Sequence, residues 1–153
     1  MGVAEIVGAR SRCDLRQIGA VIASADNSYV VVGYNGPPAG FDGPPGGLIL
    51  PAGTTCRSWC PRAAEDAERS LSYSNCVSVH AELNAIAKAD RSRIIGGTIY
   101  VAAAVCWDCG KVVANSGVST VVMRVEERDE HRNPARTIDF LEQCGLDVIV
   151  YAT

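Results

Sequence analysis

His80 is followed two positions later by Glu82 and, 26 residues after the histidine, by Cys106, with Cys109 three further on. One imidazole and two thiolates form a three-ligand set for zinc that leaves the fourth tetrahedral position open, which is how a catalytic zinc differs from a structural one. Water at that position can have its pKa lowered to about 7. Glu82 stands close enough to the histidine to reach such a water without being a ligand, and a carboxylate there can carry protons from water to a substrate. The pattern points to metal-assisted hydrolysis. A lone Cys-x-x-Cys would fit a redox pair or half of a structural zinc site equally well. A redox pair, however, is expected near the first βαβ unit of a chain and gives His80 and Glu82 no task.

For these side chains to converge, His80 must open one helix and the two cysteines another. Residues 81 to 89 carry apolar side chains at 83, 86 and 87 and read as a helix with one buried face. Residues 98 to 104 read as a strand, and 107 to 115 as a second helix ended near Asn115 and Gly117. Cysteines three apart at a helix start face the same way, and the positive potential of that end favours thiolates. Around this pair, residues 3 to 12 suit a short first helix. Two β-rich runs, 17 to 23 and 29 to 34, flank a Ser-Ala-Asp-Asn-Ser turn and predict an antiparallel hairpin. A strand of nearly continuous valines covers 119 to 125. The charged stretch EERDEHRNP then crosses to a helix over 135 to 143 closed by Gly145, and 146 to 151 ends as a strand. The last three strands alternate with helices, so they are expected to run parallel through right-handed crossovers. From Gly36 to about Arg62 the composition turns to Gly, Pro and Cys, a long irregular insertion followed by a polar helix at about 62 to 70.

At 153 residues the chain reads as a single α/β domain over 1 to 153, able to bury roughly 70% of the surface its unfolded form exposes. A net charge of −3 argues against a duplex nucleic-acid footprint, while a few local arginines could still meet a small anion. The opening MGVAEIVGARSR has Glu5 among its apolar residues and no long apolar core, so no secretory signal is expected. No stretch approaches 18 apolar residues, and Ile6 stands where a myristoylation signal requires Ser or Thr. The expectation is a cytoplasmic protein without a membrane partner. In that compartment the seven cysteines at 13, 56, 60, 76, 106, 109 and 144 suit metal ligation or burial better than disulfides.

His-x-Glu followed by Pro-Cys-x-x-Cys is the signature of zinc nucleobase deaminases. The chain carries all of it but the proline, where Val105 stands. Three further stretches, Cys13-Asp-Leu-Arg16-Gln-Ile-Gly19-Ala20-Val-Ile, Gly33-Tyr34-Asn35-Gly36-Pro-Pro38-Ala-Gly40 and Cys76-Val-Ser-Val-His80-Ala-Glu82-Leu-Asn84-Ala-Ile, resemble the deoxycytidylate (dCMP) deaminase family in order and spacing over most of the chain. The resemblance implies a three-layer α/β/α cytidine deaminase-like fold, a five-stranded mixed sheet with helices on both faces. It implies zinc-dependent hydrolysis of dCMP to dUMP, which supplies deoxyuridylate for thymidylate synthesis, with a pyrimidine deoxynucleotide as the small-molecule partner. It also implies a homo-oligomer, often a hexamer, and often control by dCTP and dTTP.

Residue by residue, Glu82 matches the family's proton shuttle and Asn35 the asparagine that hydrogen-bonds the substrate sugar, although Asn-Gly also simply makes a tight turn. Arg16 falls in the family's basic segment before the first strand, preceded by Arg10, Ser11 and Arg12, and these are the candidates for the phosphate; solvent-facing charge is the alternative for each arginine. Cys76 sits where many members hold a structural zinc. With Cys13, Cys56 and Cys60 it could complete a closed four-cysteine site, the alternative being small buried thiols. Cys144, near a helix end, reads as core. Two departures stand out: Ala102-Ala-Ala-Val105 replaces Thr-x-x-Pro, which costs some rigidity in the turn before the ligand but removes no catalytic atom, and MRVEERDEH stands where a tyrosine-bearing segment is common, which bears on the substrate. The base could therefore be a 5-substituted cytosine. Other readings are a deaminase of a nucleoside, a free base or an RNA base, and a catalytically silent zinc-binding module that senses nucleotides. An intact Glu82 argues against silence.

Overall fold

The computed structural model describes residues 1–13, 15–38, 41 and 76–151; most of the expected insertion and the helix at about 62 to 70 lie outside them. β1 (Gly19–Ala23) is buried along its whole length. Its uninterrupted apolar sequence fits that place, between β2 (Val30–Tyr34) and β3 (Thr98–Val101) and antiparallel to both. β3, β4 (Thr120–Arg124) and β5 (Asp147–Tyr151) run parallel, so the sheet order is β2-β1-β3-β4-β5. β3 and β4 alternate buried and half-buried residues, the period of a strand with one face on the core.

Two glycines show how closely helices approach this sheet from opposite sides. Gly33 pairs with Ala20, and Gly19 with Tyr34, so the two glycines face opposite ways. A Cβ on Gly19 would lie 1.9 Å from the carbonyl oxygen of Ala4, in α1 (Gly2–Gly8). A Cβ on Gly33 would lie 2.3 Å from the Ala81 oxygen and 2.4 Å from the Ala85 nitrogen, in α2 (Ala81–Lys88). Helices therefore cover both faces, as a three-layer fold requires. The core lies on the Gly33 side, where Ala20, Ile22, Ile99, Val101, Val121 and Met123 of the sheet meet α2, α4 (Trp107–Ala114) and α5 (Pro134–Gln143).

Several boundaries differ from the sequence expectations for identifiable reasons. β3 stops at Val101 rather than at residue 104, because the N–H of Ala104 is taken by a side chain instead of a neighbouring strand. A short α3 (Arg91–Ile94) intervenes after α2, started by Asp90, whose carboxylate accepts from the Ser92 N–H. The charged stretch after β4 is a 3-10 helix, Glu127–Arg132, opened by a capping box between Glu126 and Asp129. Asn133, in the left-handed region at φ 48°, ends it and caps α5 by accepting from the Arg136 N–H, with Pro134 at the first helical position. Among the described residues no helix is long and apolar enough to cross a membrane.

Candidate active site

His80 is the residue before α2, and Cys106 the residue before α4. Neither uses its side chain to cap its helix, although both stand at the N-cap. Their side chains turn towards each other instead. The His80 Nδ1 lies 3.2 Å from the Cys109 Sγ and 3.4 Å from the Cys106 Sγ, and the three ligand atoms all fall within 4.8 Å of one another. Tetrahedral zinc with ordinary bond lengths separates a nitrogen and a sulfur ligand by about 3.6 Å, so the three atoms need shift only slightly to hold the ion. The donor set fits zinc, which a nitrogen and two soft sulfurs favour over hard cations.

The electrostatics agree with that use. Hydrogen bonds from the Cys109 thiol and from His80 lower the Cys106 thiol well below its usual range against the effect of burial, favouring the thiolate that a metal needs. Cys109 moves the other way, because it donates to Cys106 and is buried; a metal would replace its proton. The Cys106 hydrogen bond raises His80. Glu82 lies in the first turn of α2, 3% exposed. Burial pushes its carboxyl up, and the charges of His80 and Arg132 oppose that push. His80, Cys106 and Cys109 line a cavity of about 400 Å³ together with Trp107, His131 and Arg132.

The loop after β2 is bound directly to the residue before the histidine. Gly36 and Val79 exchange both backbone hydrogen bonds, at 3.1 and 2.8 Å. The Asn84 side chain donates from α2 to the carbonyl of Tyr34 at 2.9 Å. Asn35 thereby sits beside the start of α2, and its own amide ties down the segment before β1, accepting from the Ile18 N–H at 2.8 Å and donating to the Arg16 carbonyl at 2.9 Å. One N–H and one acceptor position on that amide remain for another partner. Ser11 is buried, with its hydroxyl accepting from the Cys13 N–H.

Arg16, a candidate for the phosphate, has its guanidinium on an internal carboxylate. It forks onto Asp129, with Nη2 3.1 Å from Oδ2, and lies 3.7 Å from Glu126. Trp107 packs its ring against Phe140, centroids 4.9 Å apart, beneath the Arg136 guanidinium. Cys13 and Cys76 are half-buried cysteines, while Cys56 and Cys60 lie outside the described residues. Cys144 corrects an expectation: it is exposed, because Leu141 and Leu146 take the buried positions around the end of α5. Asp129 and Arg132 escaped the sequence reading, and Asn84 entered it only as part of the stretch around His80. The Glu-x-x-Asp spacing of a capping box was the only signal for Asp129.

An open three-ligand metal centre with a buried carboxylate beside it, set on helices over a mixed sheet, defines a metal-dependent hydrolase of the deaminase type. Residues 1–125 match the model of the cytidine and deoxycytidylate deaminase zinc-binding region, and the chain belongs to that family. It is 38% identical over 127 residues to the deoxycytidylate deaminase of Mycobacterium phage D29, a match covering 80% of this chain and 88% of that one. The deoxycytidylate deaminase of Saccharomyces cerevisiae is 28% identical over 150 residues, and this chain spans 42% of its length. Among solved structures, the dCMP deaminase from cyanophage S-TIM5 in complex with dCMP and dUMP superposes with a TM-score of 0.65 at 28% identity, covering 98% of this chain and 92% of that one.

Proposed function

We propose that this protein hydrolyses dCMP to dUMP and ammonia. The observation that carries the reading is Glu82, a carboxylate 3% exposed next to a three-residue ligand set, where burial works against its charge and, among the described residues, no ion pair accounts for it. His80, Cys106 and Cys109 would hold zinc, which would supply a water acidic enough to attack at neutral pH. Glu82 takes a proton from that water and delivers it to the ring nitrogen N3, then carries the second proton to the departing amino group. The C4–N bond breaks, a C4 carbonyl forms, and nitrogen leaves as ammonia. Leu83 in the cavity wall offers the base an apolar flank.

In this reading Asn35 offers its remaining amide capacity to the sugar hydroxyl, and Ser11 stands beside the phosphate. Arg16, forked onto Asp129, orients the segment that carries Ser11. Homologous dCMP deaminases support the choice of substrate, as does the GYNGPPAG sequence, whose Gly36 pairs with Val79. The same reading puts the enzyme in the cytoplasm as a homo-oligomer, for which the exposed Ile149, Val150 and Tyr151 of β5 offer an apolar edge, with dCTP and dTTP as effectors. A second structural zinc on Cys13, Cys56, Cys60 and Cys76 would bring the metal content to two per chain. The test is ammonia release from dCMP, 5-methyl-dCMP, 5-hydroxymethyl-dCMP, dCTP and deoxycytidine, with metal analysis of the same sample. The expected order has dCMP first. Preference for a 5-substituted nucleotide would move the substrate within the same chemistry, and no release from any of them would sink the reading.

A further inference from the structure

We infer that Asp129 and Arg132 are positioning residues for the Cys106 ligand, and that they give the turn before it the rigidity proline gives in the deaminase signature. The inference rests on the zinc site but not on the choice of substrate. The segment after β3 runs as Ala103, Ala104 and Val105, all fully buried, and reaches Cys106 without belonging to any strand or helix. Buried backbone of this kind must find hydrogen-bond partners elsewhere. Ala104 finds both on one element. Its N–H donates to Asp129 Oδ2 at 3.4 Å, and its carbonyl accepts from Arg132 Nη1 at 2.9 Å.

A residue gripped at both its N–H and its carbonyl has the peptide units on either side of it held, and the ligand lies only two residues on. The grip is itself braced. Asp129, fully buried, accepts the Arg16 fork and the Glu126 N–H at 3.1 Å, and the Arg132 Nε lies 3.7 Å from its Oδ1. Among the described residues the Val105 N–H makes no hydrogen bond, so this position loses nothing if it lacks a donor, as proline does. In the signature sequence the proline ring fixes the backbone at that step. Here Val105 leaves the backbone free to turn and two side chains, 25 and 28 residues further along the chain from Ala104, hold it instead.

The experiment is zinc release from the purified zinc-loaded protein to a chromogenic chelator, with folding followed by circular dichroism. Arg132→Gln and Asp129→Asn should release zinc roughly 10- to 100-fold faster than the unmodified protein, the usual cost of losing an outer-sphere partner of a metal ligand. Arg132→Lys, which keeps a cation and a donor for the Ala104 carbonyl, should fall between, and it carries the test if the other two fail to fold. The decisive arm is Val105→Pro. Alone it should leave release unchanged or slower; placed in the Arg132 variants it should restore most of the lost retention. Unchanged release in Arg132→Gln, faster release in Val105→Pro alone, or no rescue in the double variant would each overturn the inference. A role for Arg132 confined to gripping substrate would move KM without touching zinc release.

Discussion

The two helix starts that carry the metal ligands look alike and are held in different ways. Before α2, the backbone of Val79 is bridged to Gly36, and α2 itself lies so close to β2 that the missing side chain of Gly33 is what admits it. Before α4, Ala104 is gripped by two charged side chains from an element that follows β4. The His80 side is thus set by backbone contact and shape, and the Cys106 side by charge. Backbone contacts tolerate changes of pH and salt and punish any added volume. A buried ionic grip depends on protonation and on both partners staying in place. The same chemical demand, one ligand at each helix N-cap, has been met by two kinds of interaction.

The largest effect should come from the residue both starts exist to serve. Glu82→Gln preserves shape and removes only the transferable proton, so turnover should drop by roughly 10²- to 10⁴-fold, the usual contribution of a general acid-base group. Zinc content and thermal unfolding should stay near those of the unmodified protein. If turnover in Glu82→Gln stays near normal, proton transfer passes through some other group and the proposed mechanism is wrong.

A smaller effect separates the two helix starts by volume. Gly33→Ala would put a methyl 2.3 to 2.4 Å from the backbone of Ala81 and Ala85, atoms that cannot rotate away. Overpacking of this kind costs about 1–3 kcal/mol, and for a chain of this length each kcal/mol moves the melting temperature by roughly 2–4 °C. The shift should come with a displaced His80 and weaker zinc retention. A melting temperature unchanged in Gly33→Ala would mean that α2 can slide on the sheet, and that the His80 side is looser than its contacts show.

What could be read from the residues alone follows the same division. Spacing revealed the chemistry, because His80, Glu82, Cys106 and Cys109 fall in two short stretches whose internal geometry a helix start determines. The strands were legible from their apolar runs, and the hairpin from its turn residues. β3 was overrun by three residues because Ala102 to Ala104 continue the apolar pattern, while the side chains that pull Ala104 out of the sheet lie 25 and 28 residues away. EERDEHRNP reads only as a charged crossing to the last helix, with nothing in it to mark a buried residue. Asp129 instead is fully buried, and its fork partner Arg16 is 113 residues distant in sequence. Pairings at that range leave no local mark.

The smallest expected effect distinguishes the two helix starts by acid. Burial works to raise the Asp129 carboxyl, but the hydrogen bonds and charge of Arg16, the Glu126 N–H and the charge of Arg132 carry it below its ordinary value. A carboxylate lowered in the folded state contributes stability in full above its unfolded pKa, about 3.9, and loses it as pH falls through the lower folded value. Below about pH 4, protonation of the histidine and thiolates has already released the metal, so the comparison is between metal-free proteins. There the stability of the unmodified protein should fall with decreasing pH more steeply than that of Asp129→Asn, by at most one proton's worth of slope. Amide exchange should locate the loss, with protection falling at Ala104 while the Gly36 and Val79 amides, whose bridge contains no titrating group, keep theirs. Equal loss at both places would mean that the two starts open together, and that the ionic grip and the backbone bridge belong to one cooperative unit.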